Sequence, residues 1–550
     1  MTSEGRRLKF DETDGAWRVR ELALVGCVCV LYVAVRLWRL DGSCLWFDEI
    51  FGVHAAAWHE WGGMWKFVAL DLIHPPLFYV LLKVWAGAFG VGSVWWLRLL
   101  PVAAATLALV PFALLARELR LNARVLTLAL VLAAASGTLI KYAQELRMYS
   151  LLLLFATCSL WLFARFYNTT TNTRRAALWL FCVNLLLVYT HYFGWLVVAL
   201  EAVFLSLYGR AKLKAFAATC GALFVCFAPW AWAVLGAARE AAGGGGLDQN
   251  LGWAARPRPL ELFAPYLLLH EPFRARAQSN EPLVLGASVV LAFVIFAPPL
   301  VALCWRGFKR RREIAYGHER DARLALTFLL FFAFAPVVSA FVLALVLPQS
   351  IWGVRHLIIV APPYLLLAAL ALDSLRPHWL AVAAKVLLGC WLALAAVLAL
   401  VPTQATPVWC AWETLAARAI HDEARTHDAA ADASRGEMKI YAFEDLVAYQ
   451  LWYALRSDGA NGVRVAVVRD FPGVADDRAF FLPRGFDEVA SEDVNAAMRE
   501  DEFWVAFRDV EWNEENPLIK TLRGRGYEIV RREEFAAAGQ KAFMIELRRR

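Results

Sequence analysis

Charge is scarce in this chain. Only 19% of its 550 residues are Asp, Glu, Lys or Arg, and 60% are hydrophobic; soluble proteins carry roughly 25% and 45–50%. That deficit overrules the string of soluble domains that length alone suggests. Long uncharged runs, each of about 18 residues or more, read as membrane spans. The runs lack strand-like alternation, which excludes a barrel and leaves helices to satisfy the backbone in lipid. A basic domain and a base-stacking module are also missing, so the net charge of +7 reports topology, and no nucleic-acid partner is expected. No His/Cys spacing makes a zinc site. The "GGGG" at 243–246 is not followed by Lys-Ser/Thr, which excludes a P-loop and leaves a flexible hinge. The first apolar run lacks a small-residue cleavage site and reads as a retained span. The ten cysteines are scattered; Cys27 and Cys29, two apart on that span, read as small buried hydrophobes rather than a metal or redox pair.

What is present is a ladder of spans at about 21–38, 94–116, 124–140, 148–167, 176–193, 194–209, 215–236, 283–305, 323–347, 356–373 and 378–401. The basic segments "ARELRLNAR", "TNTRR", "GRAKLK", "RGFKRRREIAYGHERDAR" and "DSLRPHW" fall in alternate gaps and mark one side as cytoplasmic, together with the tail at 1–20. About eleven spans result, with the C-terminus outside. Arg36 and Arg39, at the outer end of span one, read as snorkelling to the interface. "HPPLFYVLLKVWAGAFG", 74–90, tempts a further span. It is short, carries Lys83 midway and would invert the basic loops after it, so it reads as a re-entrant or surface-lying helix. On this topology Cys44 and Cys410 share the outer side, which leaves a disulfide between them open. From 402 to 550 the chain turns charged, with strand candidates "KIYAF", "VRVAVV", "RAFFL", "EFWVAF" and "YEIVRR" and helix-like stretches "EDLVAYQLWYALRS" and "SEDVNAAMRE": a small α/β domain on the outer surface. The fold class is thus mostly α, a transmembrane bundle over 21–401 with first-loop juxtamembrane helices at 40–93.

Polar groups then converge on the outer face. Asp48 is either a helix N-cap or a general base at the membrane boundary, where partial desolvation raises a carboxylate's basicity. Glu49 either orients it or is an interfacial spectator. In "KYAQELRMYS", Tyr142, Glu145 and Tyr149 share two helical turns; Arg147 either pairs with Glu145 or a headgroup, or clamps a phosphate with its planar fork. Lys83 in an apolar helix is a functional candidate by default, with snorkelling as the alternative. The pair Arg355–His356 adds another cation opposite. His74 opens His-Pro-Pro, a helix start, and His191 lies in "YTHYFG"; each is either a structural or a site histidine. His54 and His59 read as interfacial. A base, several cations and an amphipathic lip suit a hydroxyl attacking a sugar on a membrane-embedded phosphate; a flippase or transporter of lipid-linked sugars is the alternative, although no internal repeat is seen. A membrane-anchored scaffold would leave Asp48 and Lys83 unexplained.

The ordered set "LWFDEI", "DLIHPPLFYVLLKVWAGAFGVGSVWWLRLLP", "YAQELRMYSLLLL" and "GVRHLIIVAPPYLLL" resembles the bacterial branch of the protein O-mannosyltransferase and aminoarabinose (lipid A) transferase group, which are GT-C membrane glycosyltransferases. The resemblance covers roughly 20–400 and is strongest over 40–165. It implies a polyprenyl-phosphate-linked sugar donor and inverting transfer at an outward-facing site; the expected acceptor is an envelope glycan, lipid or protein, and the expected location the inner (plasma) membrane. It implies Asp48 as base with Glu49 in support, and Lys83, Arg147 and Arg355 as phosphate ligands. No cofactor is implied as required, and a divalent metal is not indicated. The chain departs from the O-mannosyltransferases in the second outer loop, where Glu145 stands nearest to their aspartate. The expected topology is checked with reporter fusions: one after residue 120 should report cytoplasmic, and one after residue 410 extracytoplasmic.

Overall fold

The computed structural model describes residues 19–241, 254–272, 282–310, 318–400, 407–429, 438–457, 463–469, 471, 481–497, 499–537 and 539–550. The "GGGG" hinge, the tail before residue 19 and most of "RAFFL" lie outside them; Phe481 and Leu482 are in coil.

Helices run where the apolar segments lie. The first is α1 (Val19–Leu37), followed in the first loop by α2 (Phe47–Ala57), α3 (Trp61–Leu70) and α4 (Leu77–Phe89). Among the described residues, six helical runs are long and apolar enough to cross a membrane, from Val94–Glu118 to His378–Val397. Polar residues punctuate the runs. Ser93 accepts from Trp96 N at 3.2 Å to start Val94–Leu107, and Asn122 accepts from Val125 N at 2.9 Å to start Ala123–Ala135, each satisfying an otherwise orphaned donor. α4 spans 13 residues and ends at Gly90, whose φ of +79° suits a residue without Cβ. It is too short to cross a bilayer upright. The run Val354–Asp373 is the bundle's axis, 89% buried over its apolar window, whereas Arg210–Glu240 lies at the edge, 17% buried.

Two first-span expectations are corrected. Arg36 does not snorkel: it is fully buried, donates to Tyr32 O at 2.9 Å and Ala133 O at 3.0 Å, and stacks 3.2 Å from the Tyr32 ring centroid. Carbonyls and a π-face inside the bundle compensate its charge better than a reach to the surface. Arg39 is exposed. Cys27 is exposed on the outer surface of α1 and Cys29 half-buried, both as free thiols; an apolar side chain needs no burial where the surroundings are lipid.

The C-terminal region forms a mixed sheet of six strands in the order β3-β2-β1-β4-β6-β5: β1 (Met438–Ala442), β2 (Val463–Val468), β3 (Ala490–Glu492), β4 (Glu502–Asp509), β5 (Tyr527–Ala537) and β6 (Gln540–Arg549). The strands β3, β2, β1 and β4 run parallel, and β6 and β5 close the edge antiparallel, with Val505 opposite Ile545. Period-two alternation splits the faces. Tyr441, Phe443, Phe503, Val505, Phe543 and Ile545 pack with Leu518, Ile519 and Leu522 of the helix Pro517–Gly524. Ile440, Ala442, Trp504, Ala506 and Met544 face the other way, into a core continuous with the membrane bundle.

That continuity seats the sheet domain on the first loop. Phe47 meets Tyr449 with ring centroids 5.0 Å apart. His54 is half-buried against Trp452 and Phe486, 5.4 and 5.1 Å away, rather than at the lipid surface, and burial lowers its pKa to about 4. Arg484 donates to Leu70 O at 3.2 Å. Cys44, ahead of α2, is disulfide-bonded to Cys410 in the helix Val408–Ala429. A covalent bond needs both ends on one side, so an even number of crossings separates residues 44 and 410. The expected count of ten satisfies this; a crossing at 74–90 would break it. Alkylation of unfolded protein should therefore label two more cysteines after reduction than before, and Cys44→Ser should remove that difference while costing about 2–4 kcal/mol of stability.

Candidate active site

The tandem acids part company at the start of α2. Trp46 occupies the cap position and Asp48 lies in the first turn, so Asp48 is not the N-cap. Successive helical side chains diverge by about 100°, which sends Glu49 inward and Asp48 toward the opening. Glu49 is buried; its carboxylate takes both prongs of Arg98, Nε at 3.1 Å and Nη2 at 2.9 Å, and accepts from Leu146 N at 2.7 Å and Trp46 N at 3.2 Å. Arg98, itself buried, uses its other donors on the carbonyls of Leu40, Ser43 and Cys44 at 2.8–3.0 Å. The Glu49 carboxylate is thus an orienting joint that ties the start of α2 to the helix Val94–Leu107 through its pair with Arg98 and to the segment before Tyr149 through Leu146 N. Removing one partner of such a pair costs roughly 3–5 kcal/mol, because the other charge is left buried alone.

Asp48, with a side chain 25% exposed, faces two guanidinium groups: Arg147 Nη2 at 3.6 Å and Arg355 Nη1 at 3.5 Å from the same carboxylate oxygen. Arg147 Nη1 also donates to the Asp48 carbonyl at 3.0 Å. Burial pushes the Asp48 carboxyl up, but Arg147, then Arg355, His74 and Lys141, hold it below its ordinary value. Asp48 in turn keeps the buried Arg147 firmly charged against the cost of burial. The alternative pairing of Arg147 with Glu145 does not form; those residues share a backbone turn, Arg147 N to Glu145 O at 2.7 Å.

Around the triad stand the expected rings. His74 touches Arg147, His191 lies 4.8 Å from His356 between ring centroids, and Tyr149 lies 6.4 and 6.3 Å from those two. Tyr142 packs against Tyr149 with the rings tilted and their centroids 4.9 Å apart. His191 Nδ1 accepts from Phe193 N at 3.1 Å. Several buried donors or acceptors facing this space have no protein partner: Arg147 Nε, Tyr149 OH, Tyr79 OH and His356 Nδ1. Glu145 is buried at the edge, where burial, opposed by Lys141 and reinforced by Glu49, raises its pKa to about 7. Lys83 stands apart: its ammonium donates to the Trp58 and Ala56 carbonyls at the end of α2 and lies over the Trp61 ring, the usual place for a cation at a helix C-terminus. Among the described residues no group of three or more His, Cys, Asp or Glu is arranged to hold a metal.

Three participants were not singled out from the sequence. Arg98 is hidden in an apolar run, while Asp71 and Lys141 stand inside quoted motifs without being given a role; a charge inside the run 94–116 was a usable signal for Arg98.

No family model matches the sequence, and no curated protein does. Solved structures do match. ArnT from Cupriavidus metallidurans bound to undecaprenyl phosphate aligns at a TM-score of 0.55 and 14% identity, over 96% of this chain and 97% of that one. Its apo state gives 0.54 at the same identity and coverage. The oligosaccharyltransferase of Archaeoglobus fulgidus in complex with zinc and sulfate aligns at 0.48 and 14% over 79% of this chain and 61% of that one. The likeness to ArnT runs end to end and includes the sheet domain. It defines the class of architecture: a GT-C membrane glycosyltransferase fold, and within it the ArnT arrangement.

Glu145 carries a pH signature. A carboxyl raised from 4.5 to about 7 in the folded protein binds its proton more tightly folded than unfolded. Its effect is therefore absent below about pH 4.5 and becomes increasingly destabilising as pH rises to about 7, to at most about 3 kcal/mol. Thermal melts should show wild type losing stability from pH 5 to 8 relative to Glu145→Gln, with the two closest at the acid end.

Proposed function

We propose that the protein transfers a sugar from a polyprenyl-phosphate-linked donor to a hydroxyl of an envelope glycan, lipid or protein, with inversion, on the extracytoplasmic face of the inner membrane. The observation that carries this reading is one carboxylate facing two arginines, with unpartnered buried polar atoms around them. Burial without partners is costly, and an anionic ligand relieves it. The fold is shared with a protein whose structure holds undecaprenyl phosphate, and the Cys44–Cys410 bond suits an oxidising compartment.

In the reaction, Asp48 takes the proton of the acceptor hydroxyl while that oxygen's electron pair bonds to the anomeric carbon from the face opposite the phosphate. The bond from that carbon to the phosphate oxygen breaks and its electrons leave on polyprenyl phosphate. Arg147 and Arg355 meet the growing charge, the electrostatic contribution that commonly dominates catalysis; they supply charge a metal would otherwise bring. The same arginines depress Asp48 before the donor arrives. When the phosphate takes a share of their charge, the carboxylate becomes more basic, so the base strengthens when a donor is in place. Tyr149, His191 and His356 line the sugar's side of the site, and Glu49 acts through the position of α2.

Release of polyprenyl phosphate from a synthetic donor by purified protein tests this. Asp48→Asn should lower turnover by roughly 10²–10⁴-fold with donor binding nearly unchanged. Arg147→Ala should weaken binding or slow transfer by roughly 10–150-fold, and Arg147→Lys should recover part of the loss, since an ammonium cannot reproduce the fork. Movement of intact donor across a liposome bilayer without release would replace the transferase with a transporter.

A further inference from the structure

Behind the arginines lies a polar chain that takes no part in the transfer itself. Arg147 Nη2 is 3.0 Å from His74 Nε2, and His74 Nδ1 is 2.5 Å from an Asp71 carboxylate oxygen. A guanidinium has donors only, so Nε2 accepts. The ring's single proton therefore sits on Nδ1 and is donated to Asp71. The contacts thus define both the tautomer and a neutral charge. A proton added to Nε2 would set one N–H against another and one cation against another, 3.0 Å apart.

We propose that His74, oriented by Asp71, is a positioning residue that holds Arg147 in place for the lipid phosphate and lets it go when protonated, so that donor binding weakens in acid. This rests on the phosphate-binding role of Arg147 given above. The groups facing the ring come from every side: Asp71 in its own segment, Arg147 from the second outer loop, Asp48 from α2, His191 from the end of the helix Thr173–Thr190 and His356 from the short helix Val354–Val360. Tyr79 of α4 faces the same Asp71 and Arg147. The carboxylates favour the cation. Burial, the largest influence, and Arg147 disfavour it, and the net effect places His74 below its ordinary value. The ring is therefore neutral near pH 7 and takes its proton only in acid, which gives the sign of the effect.

The probe is undecaprenyl methyl phosphate, a phosphodiester whose single charge does not titrate in this range, bound to the full chain in nanodiscs. Wild-type affinity should fall by roughly tenfold or more as the pH is lowered from 7.5 into the range below the ordinary histidine value, the worth of a charge-assisted contact; affinity that stays flat down to the acid limit of the folded protein overturns the proposal. His74→Gln presents an amide oxygen to Arg147 but cannot take a proton. It should bind within about threefold of wild type at pH 7.5 and show no acid fall, since it keeps the acceptor. Asp71→Asn should shift the fall to lower pH, because the His74 cation loses its carboxylate. His74→Leu, checked for folding by thermal melting, should bind weakly at every pH. An acid fall that persists in His74→Gln overturns the proposal, as does wild-type affinity in His74→Leu at pH 7.5. Wild-type affinity in Arg147→Ala is a different pattern: it removes the phosphate site itself and this inference with it.

Discussion

The buried pair of Glu49 and Arg98 is the joint on which the outer face depends. Four hydrogen bonds converge on one carboxylate, from Arg98, Trp46 and Leu146, and the remaining arms of Arg98 gather the chain at Leu40, Ser43 and Cys44. Desolvating two charges costs several kcal/mol each, and only geometry this complete repays it. What the pair achieves is register. It sets the first turn of α2 against residues 146–147, so the neighbouring carboxylate of Asp48 arrives opposite Arg147. A joint made of apolar packing would allow sliding; a forked salt bridge with fixed directions does not.

The candidate site is therefore divided between two adjacent acids of opposite fate. Glu49 is satisfied on every side, while Asp48 meets its arginines at 3.5–3.6 Å, beyond good hydrogen-bond length. The loose contact is informative: an ion pair that is close but not docked can exchange partners, whereas the Glu49 pair cannot without dismantling the loop. Charge also runs outward in layers, from Asp71 through His74 to Arg147 and Asp48, so each group limits the charge the next can carry.

Much of this architecture was legible in the chain. Helices follow the apolar runs because lipid allows few alternatives, and the shortness of α4 was readable from Lys83 and from the side that the basic loops took. Asp48, Arg147, Arg355, His74, Tyr149, His191 and His356 were each visible as polar residues in outward loops, and the structure gathers them in one place. Their pairings were not legible: Arg147 faces Asp48 rather than Glu145, ninety-nine positions away, and Lys83 caps α2 rather than joining the group. Such choices depend on how helices stack, which a one-dimensional pattern does not encode. Arg98 escaped because it sits among apolar residues on one side of a span. The strand β6 was missed because Phe543–Ile545 is buried on both faces and shows no alternation, and the helix Val408–Ala429 because it follows directly on the last apolar run.

The placement of α2 also bears on when the protein becomes competent during its synthesis. Asp48 is among the first residues made, and Arg98 fixes the first turn of its helix early, yet other contacts of the first loop come from far later: Cys410 lies 366 positions on from Cys44, and Arg484 reaches Leu70 across 414. A nascent chain that has threaded only its early spans holds the aspartate but lacks the sheet domain packed on the first loop, the Cys410 tether and Arg355. The polar cluster is thus complete only after Arg355 has been made, and the first loop is tied down only once Cys410 and Arg484 have followed, so an incomplete translation product holds Asp48 without its second arginine.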